Sequence, residues 1–314
     1  MNAENSARQN LRLYAWYLGG SSFYAWMPVF FLYFSSLVSV QQVLLLEALY
    51  YLSVVVLEVP SGYFSDRFGR KPTLTIASSA LVLAYLAFGL GTSFETLAVA
   101  QILLAVGISF NSGTDTSFHL AVLESIGAAD TYADREAKLA SLTFVLGAAA
   151  ALLGGIGAAL DLRLAYLLSL AGAIVALVAA LLFRPTHMPP EDGQMSLRSN
   201  LRGCIRAARM PRLTWFFGAV VVATIINHVP YEFYQPYLAQ LGGGVWTDDS
   251  TPFMAGLHLA LAQLAAVPVA GFSSRLARRF GTVRVVLASM LFQLASIAAM
   301  AMWISPWIAF LLIA

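Results

Sequence analysis

The chain contains, between two long apolar runs, the segment Gly62-Tyr63-Phe64-Ser65-Asp66-Arg67-Phe68-Gly69-Arg70-Lys71. This segment, called here the signature segment, combines three basic residues and one acid with two glycines. The apolar runs on either side of it cover 40–63 and 73–91. A helix needs roughly 20 apolar residues to cross the hydrocarbon layer of a bilayer, so each run is long enough. The pattern predicts two membrane helices joined by a short polar loop.

The composition of the whole chain indicates the same class of protein. Hydrophobic residues make up 59% of the 314 residues and charged residues only 11%, whereas soluble domains are typically about 25% charged. With a mean hydropathy of +0.75, the chain falls outside the soluble globular and the disordered classes. The single cysteine, Cys204, excludes a disulfide framework and a cysteine-cluster metal site. We expect no cofactor and no bound metal.

Further apolar runs predict an all-α, polytopic membrane protein. Backbone polar groups in lipid need internal partners, so the spans must be helices. The weak alternation of polar and apolar residues argues against a membrane β-barrel. The expected spans are 13–33, 40–63, 73–91, 96–123, 139–160 and 164–183, followed by 213–239, 253–272 and 285–303.

The basic residues give these spans an orientation. Seventeen of the 18 Lys and Arg residues lie on one side of the predicted membrane, and only Arg163 lies on the other. Cytoplasmic segments carry the excess of Lys and Arg, so the N-terminus is predicted to be cytoplasmic. Residues 184–212 carry six of the basic residues. They form either a basic amphipathic helix on the lipid surface or a solvated linker.

That linker divides the chain into a six-helix N-terminal bundle, 1–183, and an incomplete C-terminal bundle, 213–314. An internal repeat supports the division, because Arg67-Phe68-Gly69 returns as Arg279-Phe280-Gly281. Repeated halves are typical of secondary transporters, which work by rocking one half against the other.

The signature segment resembles the Gly-x-x-x-Asp-Arg-x-Gly-Arg-Arg/Lys loop of the major facilitator superfamily. The matching positions are Gly62, Asp66, Arg67, Gly69, Arg70 and Lys71. The resemblance implies a twelve-helix transporter fold in a bacterial inner membrane, and a charge latch between the halves whose main partner is on the eleventh helix. Gly62 would permit close helix approach. Asp66 would accept hydrogen bonds from a helix N-terminus and be neutralised by the basic residues.

Other parts of the chain depart from that family's pattern. The fifth-helix antiporter motif keeps its glycine pair at Gly154-Gly155 but has Ala150-Ala151 where the motif has Gly-Pro. Gln101 stands where many drug–proton exchangers carry an arginine. The last apolar run begins near Trp307 and has eight residues, about 12 Å of helix. We therefore expect a C-terminally truncated member of the family.

Polar residues inside the predicted spans are the candidate functional residues, since ionisable groups in a membrane are costly and usually face a cavity. Desolvation penalises the charged form, so an acid there is protonated unless water or a cation reaches it. No Lys or Arg falls inside a span, which suits proton coupling or a cationic substrate. The proposed proton or cation sites are Glu58, Asp115 and Glu232, and the proposed cavity-lining residues are Asn111, His119, His228, Tyr231, Tyr234 and Gln235.

Structural alternatives stay open for these residues and for Glu47. Asp115 and His119 share a helix face with Asn111, at spacings of four and eight residues, and could form a structural pair. Glu58 could brace the signature segment instead of binding a proton. Glu47, near the outer end of its span, could be solvated.

These observations predict a transporter and not an enzyme. No Gly-rich phosphate loop ending in Gly-Lys-Ser/Thr is present, which disfavours ATP-driven transport. We expect proton-coupled transport of a small organic molecule, with efflux of an amphipathic or cationic compound favoured. Uptake by symport is one alternative, and a non-transporting sensor or relic is another. The expected partners are the substrate, protons and membrane lipids, without nucleic acid, and the protein is expected to act as a monomer.

Overall fold

The computed structural model describes residues 3–185 and 250–302, together with short stretches between 203 and 236. All regular structure in these residues is helical, which confirms the all-α fold. Two 3-10 turns lie at Met27–Val29 and Ala129–Thr131. The helices are α1 Ala3–Ser21, α2 Phe30–Leu37, α3 Val40–Phe68, α4 Arg70–Leu90, α5 Phe94–Asn111, α6 Thr114–Glu124, α7 Tyr132–Leu160, α8 Leu162–Leu182, α9 Thr251–Phe280 and α10 Thr282–Met302.

Six helical segments of the described chain are long and apolar enough to cross a membrane. They are Val40–Phe68, Arg70–Leu90, Phe94–Glu124, Ala129–Leu160, Leu162–Leu182 and Thr251–Pro268. The apolar part of α10 is shorter, Val283–Ala299. Most of the linker and of the expected span 213–239, and the run from Trp307, lie outside the described residues.

Two of the expected spans contain a break in their helix, although the fourth, Phe94–Glu124, is still long and apolar enough to cross a membrane as one segment. The first span breaks between Ser21 and Phe30, where a 3-10 turn separates α1 from α2. The fourth breaks between α5 and α6, because Gly113 adopts the left-handed conformation with φ of 70°. Glycine takes that conformation without a steric penalty. Side-chain hydropathy does not reveal such breaks, since the flanking residues remain apolar.

The N-terminal helices pack around an aromatic core. Helix α4 lies between α5 and α8, and α1 packs on α8. The ring of Tyr166 lies 4.6 Å from that of Tyr33 and 4.9 Å from that of Phe88, and all three residues are buried. Outward-facing side chains stay apolar, as Leu160 is 82% exposed and Leu90 75%. Large apolar side chains on the outer surface fit a protein whose surroundings are lipid.

The internal repeat is present in the backbone as well as in the sequence. Helix α3 ends at Phe68 and α4 begins at Arg70, with Gly69 between them at φ of 94°. Helix α9 ends at Phe280 and α10 begins at Thr282, with Gly281 at φ of 86°. The sharp turn that each junction makes needs a positive φ, which explains glycine at both positions.

The two halves come into backbone contact at one end of the molecule. We call the end with Gly69 and Gly281 the signature end, and the opposite end of the same helices the far end. At the far end α7 and α9 touch at backbone level. A Cβ atom on Gly155 would lie 2.8 Å from Gly256 Cα. Within the N-terminal half, one on Gly154 would lie 1.9 Å from the Ala25 carbonyl oxygen, in the break between α1 and α2. Small residues allow such approach between membrane helices.

Candidate functional site

A chain of hydrogen bonds joins three polar side chains inside the N-terminal bundle. Tyr17 on α1 donates its hydroxyl to Asn111 Oδ1 at 2.6 Å. The Asn111 amide, at the end of α5, donates to Asp115 Oδ2 at 3.4 Å. Asp115 Oδ1 also accepts the Thr116 backbone N–H at 2.7 Å. The predicted proximity of Asn111 and Asp115 is therefore present, although the helix between them is broken.

The break at Gly113 changes the electrostatic surroundings of Asp115. Because α6 starts at Thr114, Asp115 lies in the first turn of a helix. The first N–H groups of a helix have no partner within the helix, and they give that end a partial positive charge. A carboxylate in the first turn is stabilised by that charge. Asp115 forms no ion pair with Lys or Arg within the described part of the chain.

His119, one turn further along α6, pairs with a residue that sequence analysis did not select. Its Nδ1 atom contacts Glu136 Oε1 on α7. The imidazole is only 2% exposed and stacks on the Tyr14 ring at 4.6 Å, while Glu136 is 27% exposed. The Tyr14 hydroxyl is buried without a hydrogen-bond partner among the described residues. His119 is thus enclosed by side chains and does not line an open space in this conformation.

Two acids on α3, Glu47 and Glu58, have partners on α5 or just beyond its end. Glu58 is on an exposed part of α3 and accepts a hydrogen bond from Ser112 at 2.9 Å. Glu47 accepts one from the buried Gln101 amide, also at 2.9 Å. The pairing of Gln101 with an acid gives a physical role to this residue at the position where the resemblance suggests an arginine.

Two described residues of the predicted seventh span, Tyr234 and Gln235, lie against the broken first span. Tyr234 and Gln235 are buried, and Gln235 contacts the backbone at Met27 and at the start of α2. These two predicted cavity-lining residues therefore pack between the halves in this conformation. Glu232, His228 and Tyr231 lie outside the described residues.

The signature segment is helical and not the loop that its polarity suggested. Helix α3 continues through Phe68, so only Gly69 lies outside a helix. Arg67 donates to the Tyr63 hydroxyl at 2.7 Å, and Lys71 donates to the Leu181 carbonyl at 3.0 Å. The Leu181 carbonyl lies at the negative end of α8, where a cation is stabilised.

Two expectations for this segment differ from its structure. A Cβ atom on Gly62 would meet nothing within 4 Å, so Gly62 makes no close helix contact with the described residues. Asp66 is exposed and forms no ion pair with Arg67, Arg70 or Lys71, although Glu124 and Asp66 both act electrostatically on the Arg70 guanidinium. The Asp66 carboxylate is therefore open to solvent or to a partner outside the described residues.

The comparison with known families agrees with this architecture and with the signature motif. The family model described as Major Facilitator Superfamily matches residues 15–314. The chain belongs to the major facilitator superfamily. No curated protein matches the chain. Since members of this superfamily are transporters, the protein is a multi-pass membrane transporter.

Sequence analysis of this superfamily member missed Glu136 and Tyr17 for different reasons. Glu136 was assigned to a loop because the fifth span was predicted to begin at 139, whereas α7 begins at Tyr132. Tyr132 and Glu136 are four residues apart, and this helical spacing could have indicated that the helix begins before 139. Tyr17 was counted as an apolar residue of the first span, and nothing in the sequence links it to Asn111.

Proposed function

We propose that this transporter is coupled to protons and exports an amphipathic or cationic small molecule, with Asp115 as a proton- or cation-binding group. The observation that carries the proposal is the set of neutral partners around Asp115. Its carboxyl group is held by an amide and a backbone N–H, and no Lys or Arg of the described chain pairs with it. A carboxyl group inside a membrane protein without a permanent counter-ion is suited to exchange a proton for a cation.

The neighbours of Asp115 support its use as a switchable site. The Tyr17–Asn111 hydrogen bond fixes the amide that donates to the carboxyl group. The N-terminus of α6 stabilises the negative form, and burial favours the neutral form. Because the two effects oppose each other, a modest change in water access or in the position of a substrate cation can shift the protonation state.

The distribution of charge favours a cationic substrate over an anionic one. The basic side chains of the described helices lie outside the expected membrane spans, as with Arg67 in the last turn of α3 and Arg163 in the first turn of α8. An anion carrier would be expected to have Arg or Lys in its cavity. Glu58 and Glu232 are further acids proposed to bind protons or cations, and the polar and aromatic residues selected above are proposed to line the path.

The coupling test uses tetraphenylphosphonium, a lipophilic cation, and inside-out membrane vesicles that contain the protein. We expect an interior-acid gradient to drive accumulation of the probe, and a protonophore to abolish it. The Asp115→Asn variant should lose at least about tenfold in this gradient-driven rate, the scale of a lost general proton-transfer group. Asp130→Asn is the matched control, because Asp130 is exposed in the turn before α7. Full transport by Asp115→Asn would refute the assignment of Asp115.

The same vesicles separate the proposal from its two alternatives. A symporter would accumulate the probe in right-side-out vesicles with an acid exterior. A sensor or relic would move it in neither orientation beyond the passive accumulation of this permeant cation in protein-free vesicles under the same gradient. Location in a bacterial inner membrane with a cytoplasmic N-terminus is part of the proposal, and protease access to an N-terminal tag in the two vesicle types tests the orientation. We also propose that the protein acts as a monomer in contact with lipid and has no nucleic-acid partner.

A further inference from the structure

The break in the first membrane span leaves backbone groups that need partners. The chain leaves α1 at Ser21, forms a 3-10 turn at Met27–Val29 and enters α2 at Phe30. The first N–H groups of a helix have no acceptor within it. Within the N-terminal bundle, Ser169 Oγ accepts the Trp26 N–H at 3.2 Å, and turn hydrogen bonds satisfy the N–H groups of Met27 and Val29. The Phe31 and Leu32 N–H groups, in the first turn of α2, are bonded from the other half of the protein.

One side chain from the other half of the protein meets that need. Gln235 Oε1 accepts the Phe31 N–H at 3.0 Å and the Leu32 N–H at 3.4 Å. Gln235 Nε2 donates to the Met27 carbonyl at 3.1 Å. The residue is fully buried, with 0% of its surface exposed. The amide of Gln235 therefore acts as an N-cap for α2, although it is about 200 residues away in sequence.

This contact lies at the far end. Residues Met27–Leu37 directly precede Val40, where α3 starts, and α3 reaches the signature end only at Phe68. The close contact between Gly155 and Gly256 is at the same end, since both residues lie near the α7 and α9 termini away from Gly281. Gln235 thus joins the halves where their backbones also touch.

We propose that Gln235 is a clasp that holds the far end closed by completing the broken first helix, and that this end opens when the clasp is released. When the halves separate there, water can bond to the freed groups at Met27, Phe31 and Leu32. When they are together, the Gln235 amide accepts the Phe31 and Leu32 N–H groups and donates to the Met27 carbonyl, which the Tyr234 hydroxyl also reaches at 3.5 Å. Removing the amide leaves buried polar groups unsatisfied in the closed state and barely affects the open state. A change that penalises one of two states shifts the population toward the other.

The test measures the separation of the halves directly in the full chain, reconstituted in lipid nanodiscs. Spin labels are placed at Val40→Cys and Phe253→Cys in a Cys204→Ser background, and the distance distribution is recorded by pulsed electron resonance. Val40 and Phe253 are exposed residues at the far-end starts of α3 and α9. Neither takes part in the proposed proton site, so the result does not depend on the proposed function.

The matched variants are Gln235→Leu and Gln101→Leu. Both replace a buried glutamine, but Gln101 bonds to Glu47 within the N-terminal bundle. We expect Gln235→Leu to lower the ratio of short to long distances by about tenfold to a hundredfold, as expected for losing several buried hydrogen bonds. Gln101→Leu should leave the distribution of the parent unchanged.

Three results would overturn the proposal. The first is an unchanged distance distribution in a Gln235→Leu variant that elutes as a single folded species. The second is an equal shift in Gln101→Leu, which would mean general loosening of the protein. If Gln235→Leu does not fold, Gln235→Glu replaces it, since it keeps the acceptor for Phe31 and Leu32 and loses the donor to Met27. A smaller shift to long distances is then expected, and no shift would also overturn the proposal.

Discussion

The backbone contact between α7 and α9 gives a sharp test of how the far end closes. Gly155→Ala would place a Cβ atom 2.8 Å from both Gly256 Cα and the Pro252 carbonyl oxygen. Ordinary contacts lie at 3.4–4 Å, so the helices must separate by at least roughly 0.6 Å in a close-packed interface. Both opposing atoms belong to the backbone of α9, and no side-chain rotation can relieve the overlap.

The size of the effect follows from a comparison with a second glycine on the same helix. Overpacking a tight contact costs about 1–3 kcal/mol, while Gly→Ala inside a helix regains about 0.5–1 kcal/mol. Gly147→Ala gains the same helical term, but its Cβ would lie 3.3 Å from the flexible Gln263 amide nitrogen, which can move. The free energy gained by replacing glycine with alanine in a helix is the same for both variants and cancels in the comparison. The difference of about 1–3 kcal/mol corresponds to about 5–150-fold in the ratio of closed to open far ends.

The assay is the distance measurement between labelled Val40→Cys and Phe253→Cys, applied to both glycine variants in the Cys204→Ser background. We expect Gly155→Ala to gain the long-distance population and Gly147→Ala to match the parent. Equal distributions in the two variants would show that the Gly155–Gly256 contact does not limit closure, and the reasoning from backbone proximity would then be wrong.

Two further predictions concern folding stability, measured as the free energy of unfolding in detergent. Gly69→Ala should lower the free energy of unfolding by about 1–3 kcal/mol, because φ of 94° with ψ of 159° is a region that only glycine populates readily. Gly62→Ala is the control and should not lower it, since the new Cβ meets nothing within 4 Å. Equal losses in the two variants would contradict the argument. Glu136→Leu should lower the free energy of unfolding by about 1–3 kcal/mol, because it leaves the buried His119 nitrogen without its partner. Asp134, exposed on the same helix, gives the control Asp134→Leu, which should change stability by no more than about 0.5 kcal/mol. An unchanged stability of Glu136→Leu would show that the pair is not needed for folding.

The sequence predicted the features of the fold that depend on local patterns. The apolar runs located α4 and α8 within a few residues of their observed limits, Arg70–Leu90 and Leu162–Leu182. Charged and glycine residues located the junction at Gly69, and its copy at Gly281. These features follow from hydropathy and from the φ that a turn requires, both of which can be judged from a short window of sequence.

Features that depend on distant partners were not predictable in the same way. The break before α2 is stabilised by Gln235, which is remote in the sequence. For the seventh span, the sequence showed only that polar residues share one helix face, and that pattern predicted a cavity lining. For His119, the helix face was predicted, but its partner Glu136 depends on how α7 lies against α6. Spacing predicts which residues share a helix, and packing between helices decides what they contact.

The two ends of the transporter use contacts with different ranges, and this difference determines how sharply it can switch. At the far end, backbone atoms of Gly155 and Gly256 touch and Gln235 holds the start of α2 at 3.0 Å. A gap of about 0.5–1 Å already removes about a quarter to a half of the attraction between touching atoms. At the signature end, the exposed charges of Asp66 and Arg67 act over about 8 Å at physiological salt. If the halves move as the clasp proposal requires, contact energy at the far end is therefore lost over a shorter separation than charge attraction at the signature end, and we expect the far end to open over the narrower range of distances.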